Sequence, residues 1–187
     1  MSFAGKLTLT RMILTVLIIM FLLFPFDTAG IEIPKLFINE LLVVDIKFLI
    51  AGSLFILAFI TILVFDVQDK KYELSNKDKL LNEVTNKVLI NSILVTLSSQ
   101  GFIHPIIPVI LIMRDTIMSS FKSNFEIKVI LKKIQNICLL VGIALTLFYN
   151  LPFELLNLRI SEFLLIAGVI LSIVSAFEYY YQIKTKM

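Results

Sequence analysis

Long apolar runs recur along this chain with few charges inside them, and no other feature limits its folding options as tightly. Of its 187 residues, 58% are hydrophobic, above the usual share for a water-soluble domain. Runs of about 18 or more such residues mark membrane-spanning helices. Hydrocarbon offers no partner to backbone N–H and C=O groups, so a span is either a helix or a strand of a closed barrel. Barrel strands alternate in segments of about ten residues. The runs here are continuous, so the reading is an all-α membrane bundle. Six spans are expected, at roughly 7–24, 43–65, 86–100, 103–121, 128–149 and 160–181. Ser98–Ser99–Gln100–Gly101, with His104–Pro105 and Pro108 behind it, predicts a tight hairpin between the third and fourth.

The charges assign the sides. Every Lys and Arg except Lys35, Lys47 and Arg159 falls on one face of that arrangement. The positive-inside rule places this face in the cytoplasm, with both termini and the connections at 66–87 and 114–133. The first run, Leu7–Phe24, is too long for a signal-peptide core and has no small-residue cleavage site behind it, so a retained span is expected. Phe26–Leu42 carries Gly30 and Pro34 and reads as an outer loop with a short amphipathic piece. Tyr179, Tyr180 and Tyr181 ahead of Lys184 and Lys186 make an interface anchor. The single cysteine, Cys138, lies in an apolar run and excludes a disulfide framework. The formal charge of +3 is small, and no nucleic-acid partner is expected. With no internal repeat or Gly-rich phosphate loop, one domain over 1–187 is the simplest organisation.

Between the second and third spans lies "FDVQDKKYELSNKDKLLNEVTNK", residues 65–87. Asp66 and Asp69 are spaced i, i+3, and Asn82 and Asn86 are spaced i, i+4, so each pair shares a helix face if helix continues through it. Two antiparallel helices then bring four oxygen-bearing side chains together. Divalent cations such as Mg²⁺ prefer oxygen ligands, but carboxylates above all. Asparagine offers only a neutral carbonyl and is no general base. The competing reading has Asn82 and Asn86 hydrogen-bonding between helices, at ~1 kcal/mol each. His104, the one histidine, stands among prolines with no Cys, Asp or Glu nearby and reads as a loop residue. Glu178 lies near the inner end of the last span, where an acid raises a functional question.

Several segments together resemble the CDP-alcohol phosphatidyltransferase family, and in particular its phosphatidylglycerophosphate synthase-like members. "GKLTLTRMIL" (5–14) resembles the family's Asn-x-x-Thr-x-x-Arg segment, with Thr8 and Arg11 kept and Gly5 in place of Asn. "FLIAGSLFILA" (48–58) resembles the run into the signature D-x2-D-G-x2-A-R-x8-G-x3-D-x3-D, and "LLNEVTNKVLI" (80–90) resembles its end. "VILIMRD" (109–115), "LKKIQN" (131–136) and "SAFEYYYQ" (175–182) resemble later family segments. The signature itself is broken. Matched onward from residue 48, Ile62 and Phe65 fall on the first two aspartates, and Asn82 and Asn86 on the third and fourth. Asp66 falls on the first glycine, Asp69 and Lys70 on the Ala-Arg pair, and Asp78 or Lys79 near the second glycine. A shifted register sets Asp66 and Asp69 on the first two aspartates at the expense of about five loop residues.

The resemblance implies a six-span dimeric fold whose aspartates hold two Mg²⁺ or Mn²⁺ ions against the pyrophosphate of a CDP-lipid. The last aspartate takes the proton of the incoming alcohol, and CMP leaves. It further implies that Arg11, Arg114, Lys132 and Lys133 hold a phosphate or lipid headgroup, although topology alone also calls for cytoplasmic lysines. In this chain the base position is Asn86, and the other metal positions are Ile62, Phe65 and Asn82. The expectation is therefore a catalytically degenerate member in a bacterial cell membrane, without a cofactor, that binds lipid or pairs with itself or an active paralogue. Two alternatives stand beside it. One is an active CDP-diacylglycerol–glycerol-3-phosphate 3-phosphatidyltransferase with Mg²⁺ or Mn²⁺ on Asp66 and Asp69. The other is an unrelated small membrane scaffold.

Overall fold

The computed structural model describes the chain except residues 1–2, 27–29, 31–33, 39–41, 73, 121–128, 152, 154–157 and 187. At 35–38, 42–43, 119–120, 129–132, 179–180 and 182–186 only the backbone is described. The helices are α1 (Phe3–Leu23), α2 (Ile46–Tyr72), α3 (Asn76–Ser99), α4 (Ile106–Ser120), α5 (Val129–Leu147) and α6 (Ile160–Lys186). Ahead of α2 lies a two-stranded antiparallel ribbon, β1 (Lys35–Ile38) and β2 (Leu42–Asp45), with Lys35 opposite Asp45 and Ile38 opposite Leu42. The ribbon corrects the expectation of helix from residue 43. Val43 and Val44 are β-branched and sit on the pleat, and helix begins one residue after Asp45.

Among the described residues three helical segments are long and apolar enough to cross a membrane: Phe3–Leu23, Ile46–Tyr72 and the Ile160–Glu178 part of α6. Their faces explain why. On α1 the buried stripe is Ala4, Gly5, Thr8, Arg11, Thr15, Ile18 and Leu22, small or polar as far as Thr15 and apolar beyond it. The exposed face carries Leu9, Met12, Ile13, Val16, Leu17 and Met20. Water would reverse that arrangement, whereas lipid tails cover the apolar face at no cost. Small residues on the inner stripe let backbones approach closely.

The chain divides into two compact units: residues 1–96 with 147–149, and 97–146 with 150–187. In the first, α1 packs on α2, whose buried stripe runs Phe48, Ala51, Gly52, Phe55, Ala58, Ile62, Phe65. A Cβ on Gly52 would come within 2.9 Å of the Phe148 ring, so that glycine is demanded by close approach. Tyr149 seals the ribbon end: its hydroxyl accepts the Asp45 backbone N–H at 3.3 Å, and its ring meets Phe48 edge-on.

In the second unit the turn after α3 has the expected tight form. Gly101 takes φ +81°, and the Phe102 N–H reaches back to the Leu97 carbonyl at 3.0 Å, a glycine-terminated helix end. His104 is exposed and its Nδ1 accepts the Ile106 backbone N–H at 3.3 Å, capping α4. α4 packs on α6. α5 and α6 interlock through two glycines: a Cβ on Gly142 would strike Leu165 at 2.9 Å, and one on Gly168 would strike Leu139 at 2.6 Å. Asn150 joins the ends of α5 and α6, its Nδ2 donating to the Leu158 carbonyl at 2.5 Å and its Oδ1 accepting the Ser161 N–H at 3.1 Å.

Candidate functional site

The expected connection at 66–87 is almost wholly helical. α2 continues to Tyr72 and α3 opens at Asn76, ten residues before the expected start of the third span. Ser75 explains the early start. Its Oγ accepts the Asp78 backbone N–H at 3.3 Å, and its carbonyl accepts the Lys79 N–H at 3.1 Å. The charges between 66 and 87 therefore ride on two helix ends rather than on a loop.

That geometry separates the four side chains singled out above. Asp66 and Asp69 do lie on one side of α2, one turn beyond Ile62 and Phe65 respectively. Asp66 is exposed, and Asp69 is paired with Lys79 Nζ of α3 at 3.0 Å. Asn82 and Asn86 turn instead toward α1. There the Arg11 Nη1 donates to Asn82 Oδ1 at 2.6 Å and also to Asn86 Oδ1. The Arg11 Nε donates to Thr61 Oγ1 at 3.1 Å, and that hydroxyl in turn donates a hydrogen bond to the Ala58 carbonyl at 2.6 Å. Arg11 is 0% exposed. One guanidinium thus joins α1, α2 and α3. Each hydrogen bond to a charged group contributes about 1.5–3 kcal/mol, set against the desolvation of a buried cation. Nη2 has no acceptor among the described residues.

These residues do not suit a divalent ion. Ile62 and Phe65 are buried and carry no ligand atom. A guanidinium only donates, so the atoms that Asn82 and Asn86 turn to it are their oxygens, the same atoms a metal would need. An ion about 4 Å from that fixed positive charge is repelled by roughly 8 kcal/mol at an effective dielectric of about 20. Asp66 is the carboxylate whose field reaches Arg11, and it stands in water rather than on the guanidinium. Among the described residues no three His, Cys, Asp or Glu side chains gather as a ligand set.

The second unit holds its own buried arginine. Arg114 on α4 donates from Nη1 to Asp115 Oδ1 at 3.0 Å and from Nη2 to Ser175 Oγ of α6 at 2.6 Å. Ser175 in turn donates to the Ser172 carbonyl. Lys133 is exposed on the second turn of α5, while the side chain of Lys132 lies outside the described set, as do Lys122 and Lys128. Thr61 and Ser175 were not singled out by sequence. A hydroxyl in an apolar span usually bonds its own helix, so nothing local marks these two as arginine partners.

No family model matches the chain. It is 25% identical over 183 residues to the CDP-diacylglycerol–glycerol-3-phosphate 3-phosphatidyltransferase of Bacillus subtilis (strain 168), covering 94% of this chain and 92% of that protein. It is 31% identical over 111 residues to the enzyme of the same name from Mycoplasma genitalium, covering 56% of this chain and 47% of that protein. The alignment to the first runs nearly end to end on a helical chain with apolar spans. That end-to-end likeness of a chain with apolar spans supports a place in the CDP-alcohol phosphatidyltransferase family.

Proposed function

We propose that this chain is a six-span, single-domain member of the family, with both termini in the cytoplasm, in which metal-dependent phosphatidyl transfer has been lost. In this reading it serves phosphatidylglycerol synthesis as a lipid-binding or regulatory subunit, paired with itself or with an active paralogue. One observation carries the reading: the oxygens of Asn82 and Asn86, which the resemblance sets on the third and fourth acid positions with Ile62 and Phe65 on the first two, are both held by Arg11. In the transfer reaction, the acceptor hydroxyl forms a new bond to the lipid-linked phosphorus as the bond to CMP breaks. A base must take the hydroxyl proton. Asn86 takes none, and loss of a general base alone lowers rate about 10²–10⁴-fold. Arg11 is committed between helices in this reading and Arg114 to Asp115 and Ser175, which leaves exposed Lys133, together with Lys132, as the cations for anionic headgroups.

A second reading has one observation in its favour. α2 stays helical to Tyr72, so Asp66 and Asp69 stand one turn beyond the first two acid positions, on a wetter part of the same side. An active synthase would then set Mg²⁺ or Mn²⁺ there and act on CDP-diacylglycerol and glycerol 3-phosphate, the substrates named for the relatives. The Asp69–Lys79 pair weighs against it, as does the lack of a third acid among the described residues. The two readings part in a CMP-release assay on the purified chain with both substrates and Mn²⁺. The first expects background release. The second expects release that disappears in Asp66→Ala and Asp69→Ala.

A further inference from the structure

We infer that the guanidinium of Arg11 is a resident cation that has taken over the cross-linking of α1, α2 and α3 at the signature positions, so that this end of the first unit is held without a divalent ion and excludes one. The inference concerns the site on which the functional reading rests, but the two can fail separately. Transfer through Asp66 and Asp69 would end that reading and leave the clamp intact.

Three observations converge. The partners come from two helices other than the α1 that carries Arg11: Thr61 on α2, and Asn82 and Asn86 on α3. Each is present in the form a donor-only group needs, as an amide oxygen or as a hydroxyl whose proton is spent on a carbonyl. Thr8 and Thr15, the neighbours of Arg11 on its own stripe, bond the Gly5 and Arg11 carbonyls and do not compete for the fork. Finally, Nη2 is a buried donor without an acceptor among the described residues. The cluster is thus short of an acceptor, not of a cation. Uncharged signature positions follow from this arrangement, since one fixed positive charge needs far less negative charge around it than two divalent ions do.

The test uses the full chain in detergent or nanodiscs. Unfolding is followed by helical circular dichroism, because the chain has no tryptophan to report on it. Bound Mn²⁺ is counted by electron paramagnetic resonance. The wild type is expected to melt at one temperature in EDTA and in millimolar Mn²⁺, and to bind no Mn²⁺. Arg11→Met is expected to melt roughly 5–10 °C lower in both. Arg11→Lys keeps charge but not the fork, and is expected to lose roughly half as much. It carries the test if Arg11→Met cannot be isolated folded. Asn82→Asp with Asn86→Asp is expected to raise the melting temperature by a few degrees without creating a Mn²⁺ site, because the new carboxylates pair with Arg11. The inference is overturned by Mn²⁺ that binds the wild type and is lost in Asn82→Ala. It is equally overturned by an Arg11→Lys variant that melts with the wild type.

Discussion

Two buried arginines, one in each unit, show how the same residue does different work. Arg114 is 8% exposed, and its charge is answered at 3.0 Å by the neighbouring carboxylate of Asp115. Its remaining tie, to Ser175, reaches only one other helix. Arg11 is fully buried, touches no carboxylate among the described residues, and is held by neutral oxygens from two other helices. The first is a locally neutral pair that pins α4 to α6. The second is a positive charge at the centre of a three-helix contact, held by neutral oxygens. Burial and residue type are shared; the sign of the surroundings decides the role.

The largest expected effect that separates them is the loss from Arg11→Met, which leaves two asparagine oxygens and a threonine hydroxyl without their donor. Arg114→Met is expected to lower the melting temperature by about half as much, because the Asp115 side chain is 18% exposed and can turn to water. Equal losses would break the contrast. Smaller still, and opposite in sign between the sites, is the effect of adding a carboxylate. Asn86→Asp is expected to stabilise by about 1 kcal/mol by supplying the charge that Arg11 lacks. Ser175→Asp, placing a second acid on an arginine already paired, is expected to destabilise. The smallest effect is assigned to the Asp69–Lys79 pair, whose side chains are 32% and 44% exposed. Lys79→Met should change stability by less than about 1 kcal/mol, and the difference should fade in high salt. A larger loss there would mean that Asp69 matters to the site after all.

Much of this was legible in the chain. Apolar runs located α1, α4, α5 and α6 to within a few residues, because burial in lipid and helix formation demand the same pattern there. They failed at the inner ends of α2 and α3, where the helix outlasts its apolar residues. Hydropathy reports where a segment leaves oil, not where its hydrogen bonds stop. The missed signal was Ser75 three residues before Asp78, a capping pattern that starts α3 among charges. The ribbon was missed for the converse reason: Val43 and Val44 are apolar enough to extend a span yet prefer a pleat. The shared face of Asn82 and Asn86 could be read from their spacing. Their partner could not, because Arg11 lies 71 and 75 residues away and only tertiary packing brings it there.

The central claim is that a family member with uncharged signature positions carries out no phosphatidyl transfer. Its most direct measurement is incorporation of radiolabelled glycerol 3-phosphate into organic-soluble lipid by the purified chain in vesicles containing CDP-diacylglycerol and Mn²⁺. A relative with an intact signature serves as the parallel control. The account expects label in lipid for the relative and only background for this chain. Mn²⁺-dependent incorporation by the wild type that vanishes in Asp66→Ala would contradict it.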